Sequence, residues 1–136
     1  FRNDKGKERC DKVVEKHQYL LFCHKCLNFK VSDYNAGECS CKSKFDFAGP
    51  MWTGNLFDKK LLGKMVKNNP FPKEQKFLEL LKEESQIDTV GFHDLHVIAK
   101  NQKKEPPRME VALKKMKGVR THFGLNGVKT RNKFKD

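Results

Sequence analysis

The sequence predicts an α+β protein built in two parts, residues 1–55 and residues 56–136, and three features predict it. Two close cysteine pairs, Cys23/Cys26 and Cys39/Cys41, sit in the first part beside a short apolar run. From Leu56 onward the apolar residues recur at helical spacing. After Gly118 the period drops to two, as in a half-buried hairpin.

Composition sets the outer bounds. The 136 residues are 37% hydrophobic and 34% charged, with 11 Phe, which is enough apolar mass for a folded core and excludes wholesale disorder. No run approaches the roughly 20 apolar residues of a membrane span, so no membrane partner is expected, and nothing resembles a secretory signal. Five cysteines, an odd number, without such a signal point to a reducing compartment in which paired cysteines read as metal ligands. The chain begins at Phe1 rather than Met, and is expected to be a piece of something longer. Net charge is +12, with +3 on residues 1–55, zero on 56–99 and +9 on 100–136. A neutral middle followed by a strongly basic end reads as a face for a polyanion, nucleic acid first; the plain alternative is a solvated Lys-rich tail.

Element by element, "KERCDKVVEKH" (7–17) reads as a short helix presenting Val13 and Val14, with Cys10 as a small buried hydrophobe. "YLLF" (19–22) suits a buried strand leading into the cysteines, and "FAGPMWTGNLFD" (47–58) an irregular connector. Leu61, Leu62, Met65 and Val66 share one helical face, and "NNPFP" (68–72) stops that helix. "KEQKFLELLKEES" is a second helix burying Phe77, Leu78 and Leu81, with Glu83 and Glu84 on its solvated face. A third, "FHDLHVIAKN", buries Leu95, Ile98 and Ala99; His93 and His96 read as one packed and one exposed imidazole. "EPP" introduces a fourth, with Met109, Ala112, Leu113 and Met116 inward, Arg108, Lys114 and Lys115 outward, and Gly118 as its C-cap. In "VRTHFGLNGVKTRNKF" Val119, Thr121 and Phe123 share one face and Arg120 and His122 the other, with Asn126-Gly127 as a type I′ turn. Helices followed by a hairpin give the second part a winged-helix-like outline.

The Cys-x-x-Cys and Cys-x-Cys pairs, twelve residues apart, have the spacing of a knuckle-and-loop zinc site. Cys23, Cys26, Cys39 and Cys41 are its expected ligands, with His24 and His17 as substitutes. Four thiolates close the shell, so the zinc is structural rather than catalytic. No Gly-rich phosphate cradle, no G-x-S-x-G and no nucleophile–base set appears, so on its residues alone the chain is a binding module. Residues 108–135 are the candidate nucleic-acid face, with Arg108, Lys114, Lys115, Lys117, Arg120, Lys129, Arg131, Lys133 and Lys135 toward phosphates. His122, Phe134 and Trp52 are candidates for stacking on unpaired bases. Spacing alone leaves DNA and RNA both open, and a zinc-containing winged-helix DNA-binding or transcription module is the competing reading.

Two stretches resemble a known family. "AGPMWTGNLFDKKLLGKMV" (48–66) is similar to the Gly-Pro-x-Trp segment in the C-terminal part of the tRNA guanine-N2 dimethyltransferases. "VRTHFGLNGVKT" (119–130) is similar to that family's Arg-Thr-His-Phe … Ile-Lys-Thr segment, with Val128 in place of Ile. The preceding Cys-x-x-Cys fits the zinc site many members have, and the loose match leans toward the metazoan paralogue. The resemblance implies a parent enzyme that uses S-adenosylmethionine to methylate a guanine of tRNA. The family's catalytic Asp-Pro motif belongs to an N-terminal Rossmann-like domain; this sequence contains no Asp-Pro and is expected not to methylate on its own. The resemblance favours RNA over DNA and assigns Arg120, Thr121, His122, Lys129 and Thr130 to the tRNA-facing segment. A nuclear or nucleolar location follows from basicity and kinship, with cytoplasm as the alternative.

Overall fold

The structure, a computed structural model, describes residues 6–132. The chain forms two compact units that divide after Gly54.

The first unit opens with helix α1 (Lys7–Val14), which buries none of its residues. Val13 and Val14 are exposed, and so is Cys10, against the expectation of a buried thiol. Three antiparallel strands follow: β1 (His17–Phe22), β2 (Phe29–Ser32) and β3 (Asp46–Trp52), in the order β2-β1-β3. The central strand is the expected "YLLF" run. β3 replaces the irregular connector expected there. Its Gly49 and Pro50, joined by a cis peptide, lie at a register shift opposite Gln18–Leu20. The strand pairs normally on either side, and β3 is an edge, where a residue lacking an N–H is tolerated. Gly49 has φ 124°, and a Cβ there would come within 2.9 Å of the Gln18 carbonyl oxygen. Buried apolar side chains here are Leu21, Cys23, Leu27 and Cys39. So small a core needs a cross-link, and its centre is made of cysteines.

The second unit contains helices α2 (Lys59–Lys67), α3 (Gln75–Glu84), α4 (Leu95–Asn101) and α5 (Met109–Met116), with a 3₁₀ turn at Pro72–Glu74 before α3. Asp58 caps α2 by accepting from the N–H groups of Lys60 and Leu61, and Asp94 caps α4 through His96 and Val97. Strands β4 (His93–Asp94), β5 (Val119–Arg120) and β6 (Gly127–Lys129) form an antiparallel sheet ordered β4-β6-β5. Leu62, Leu78, Leu95, Ile98, Ala99, Ala112 and Val128 make the core. The α4 and α5 stripes fall inward as their periodicity predicts, and His93 is packed while His96 is exposed. Leu61, Met65 and Phe77, placed inside by the same argument, are exposed. Those helices bury one narrow row, led by Leu62 and Leu78, rather than a broad stripe.

Two glycines do other work than expected. Lys117, not Gly118, takes the left-handed position that ends α5, at φ 48° and ψ 49°. Lys117 N–H donates to the Lys114 carbonyl at 3.3 Å, and Gly118 N–H to the Leu113 carbonyl at 3.0 Å. Gly118 is small because a Cβ there would come within 2.5 Å of the Lys129 carbonyl oxygen and 2.7 Å of Val128 Cγ1. Asn126-Gly127 is not a type I′ turn, which needs positive φ at both residues, and neither has it. Gly127 lies inside β6, where a Cβ would strike Thr121 Cγ2. The connection is instead a longer loop closed by Thr121 N–H to the Gly127 carbonyl and Gly127 N–H to the Gly124 carbonyl, both 3.2 Å. The alternation expected through Phe123 therefore stops at Arg120: Thr121 is buried and Phe123 exposed.

Candidate metal centre and nucleic-acid interface

The four predicted cysteines come together. Their Sγ atoms all lie within 4.8 Å of one another, with Cys23–Cys41 at 3.4 Å and Cys26–Cys39 at 3.3 Å. A tetrahedral ion with metal–sulfur bonds of about 2.3 Å needs sulfurs about 3.8 Å apart, inside that range. Two similar turns present them. Cys23 N–H donates to the Asn28 carbonyl and Leu27 N–H to the Cys23 carbonyl; Cys39 N–H donates to the Ser43 carbonyl and Lys42 N–H to the Cys39 carbonyl. In each turn the residue after the second cysteine is left-handed, Leu27 at φ 56° and Lys42 at φ 63°. Burial pushes the Cys23 thiol up to about 11. Hydrogen bonding from Ser43 brings Cys41 down to about 6, and the Cys41 backbone lowers Cys39. The set thus combines Cys41, a ready thiolate, with Cys23, whose proton a cation must displace. His24 pairs instead with Asp46 at 2.7 Å, and His17 Nδ1 lies 2.9 Å from the Val13 carbonyl oxygen.

The basic residues separate into two groups. Arg108, Lys114, Lys115, Lys117, Arg120 and Arg131 are exposed, on the outer side of α5 and along the strands that follow it. Thr121, Lys129 and Thr130 are buried, with Lys129 only 1% exposed. Lys133, Phe134 and Lys135 lie outside the described residues. Trp52 is half-buried, with His17 edge-on at 5.5 Å and Lys16 Nζ 5.7 Å from its ring centroid.

The buried group is organised by a residue that the sequence placed in solvent. Glu84 is 0% exposed. Its Oε1 accepts from Thr121 Oγ1 at 2.9 Å and pairs with Lys129 Nζ at 2.9 Å. Its Oε2 accepts from His122 N–H at 2.9 Å and meets His122 Nδ1 at 2.7 Å. The Lys129 ammonium also lies over the rings of Phe57 and Phe123, at 5.3 and 5.9 Å. Burial alone would raise the Glu84 carboxyl, but Lys129, His122 and Thr121 outweigh it and hold the group below its ordinary value. Thr130 Oγ1 and Asn132 Nδ2 both donate to the Met116 carbonyl, tying the end of β6 to the end of α5. One signal for Glu84 was readable: it stands three residues after Leu81, on the inward side of α3.

Fold and site together define a chain with a closed four-thiol centre in one unit and an exposed cationic helix face in the other. The family described as TRM, N2,N2-dimethylguanosine tRNA methyltransferase, matches residues 1–136. The chain belongs to that family. It is 38% identical to the tRNA (guanine(26)-N(2)/guanine(27)-N(2))-dimethyltransferase of Aquifex aeolicus, over 100% of this chain and 37% of the relative. It is 33% identical to the tRNA (guanine(26)-N(2))-dimethyltransferase of Sulfurisphaera tokodaii, over 96% of this chain and 37% of the relative. The structure of Trm1 from Pyrococcus horikoshii with S-adenosyl-L-methionine superposes with a TM-score of 0.76 at 27% identity, covering 94% of this chain and 36% of that one. The chain therefore spans little more than a third of the length of these relatives.

Proposed function

We propose that this chain is the tRNA-binding, C-terminal part of an S-adenosylmethionine-dependent tRNA guanine-N2 methyltransferase. It holds tRNA for methylation by a Rossmann-like domain elsewhere in the parent protein, and has no catalytic residue of its own. The observation that carries the reading is the set of exposed cations Arg108, Lys114, Lys115, Lys117, Arg120 and Arg131, within a chain that belongs to this family. Each such cation near a phosphate displaces condensed counterions, which gives salt-sensitive affinity. Element order α2–α3–β4–α4–α5–β5–β6 and sheet order β4-β6-β5 support a winged-helix-like reading of the second unit, with α5 as the helix offered to the nucleic acid.

Cys23, Cys26, Cys39 and Cys41 would hold one structural zinc. The all-sulfur donor set and the sulfur spacing fit that ion. Its chemistry there is to cross-link the two turns of a unit whose apolar core is small.

The test is a titration of the zinc-loaded chain with tRNA and with duplex DNA of matched charge, at two salt concentrations. Preferential tRNA binding, weakened by salt and by Lys114→Glu/Arg120→Glu, is the expected result. Equal or tighter binding to DNA would overturn the reading in favour of a DNA-binding module.

A further inference from the structure

We propose that the exposed aromatic end of the β5–β6 loop is a stacking seat for an unpaired nucleobase of RNA; this deepens, and rests on, the tRNA-binding reading above. Phe123 is 64% exposed, Phe77 46%, Phe92 37% and Leu125 84%, a concentration of large apolar side chains around one loop. The rings are ordered against one another. Phe92 and Phe123 are parallel within 4° at 5.8 Å, His122 lies 4.1 Å from Phe123, and Phe77 meets His122 edge-on at 6.2 Å.

The loop holding these rings is pinned. Glu84 fixes Thr121 and both the backbone and the ring of His122, and Leu95 N–H donates to the Asn126 carbonyl at 3.0 Å. A preorganised ring loses little freedom when a base settles on it. Charge selects the occupant. Residues 111–132 contain no Asp or Glu, the Glu84 carboxylate that holds the loop is buried and neutralised by the equally buried Lys129, and Arg120 is exposed just before the loop. Flat exposed rings beside an exposed arginine suit a base attached to phosphates; the stacking is indifferent to base identity because every base has a π-face.

The test is fluorescence anisotropy of a labelled tRNA transcript with the zinc-loaded 136-residue chain, comparing wild type, Phe123→Leu and Phe123→Tyr. Phe123→Leu keeps apolar bulk but removes the plane, and should weaken tRNA binding by about 5- to 100-fold without changing the salt slope. Phe123→Tyr should bind as wild type does, and a fully paired RNA duplex should not distinguish the three. Wild-type affinity for tRNA in Phe123→Leu would overturn this inference alone, leaving tRNA binding intact and the patch to protein docking. Failure of the wild-type chain to bind tRNA would overturn both readings. Phe123 is exposed, so unchanged helical circular dichroism is expected in both variants.

Discussion

Lys129→Met separates a structural lysine from a phosphate-binding one. The substitution removes the cation that lies 2.9 Å from Glu84 Oε1 and leaves a carboxylate that is 0% exposed. Breaking a buried pair by deleting one partner costs about 3–5 kcal/mol, because the remaining charge stays desolvated. Two effects reduce that here. Thr121 Oγ1 and the His122 backbone N–H still donate to Glu84, and Met fills most of the volume beside Phe57 and Phe123. The net expectation is about 3 kcal/mol, a large part of the 5–15 kcal/mol that stabilises a typical domain. With a urea slope of about 2 kcal/mol/M, the midpoint falls by about 1.5 M. Far-UV circular dichroism is the readout, since four of the five α-helices in the described residues belong to the second unit; Trp52 belongs to the first. Below the transition, tRNA affinity should match wild type. A midpoint shift under about 0.5 M urea, or lost tRNA affinity at full stability, would refute the reasoning.

Other outcomes follow from the same geometry. Glu84 is held below its ordinary 4.5, so its contribution is present above that pH and lost as pH falls through the folded value; Glu84→Gln should narrow its stability gap from wild type on acidification, read by urea midpoints. Gly118→Ala should destabilise the second unit by about 1–3 kcal/mol, because its Cβ meets β6, whereas Lys117→Gly should stabilise it by about 1 kcal/mol by relieving a left-handed lysine. Zinc analysis should give one ion per chain, and Cys39→Ser or a strong chelator should abolish it and change Trp52 fluorescence while the second unit's helical signal persists.

The four-cysteine cluster was legible because its signal is local: four cysteines at knuckle spacing need no tertiary context. The same holds for α4 and α5, whose apolar rows Leu95/Ile98/Ala99 and Met109/Ala112/Leu113/Met116 fall inward. The Glu84 network was not legible. It depends on β4, a two-residue strand at His93–Asp94 that makes β6 the central strand. With β6 covered on both faces, Gly127, Val128 and Lys129 are all buried, and the alternation expected of a hairpin disappears. Gly118 and Gly127 misled for a related reason: their small size serves close packing, while turn statistics read them as conformational signals. The Gly- and aromatic-rich stretch around Gly49-Pro50 read as an irregular connector, yet on an edge strand the effect of that pair is confined to a register shift.

The most direct test of the central claim is the slope of log affinity against log salt for tRNA binding, in wild type and in Lys114→Gln/Lys115→Gln/Arg120→Gln. If these exposed cations face phosphates, the slope should fall by about 2 units, at roughly 0.7–0.9 per lost contact, with folding unchanged. An unchanged slope would contradict the account, leaving the cationic face as solvated surface.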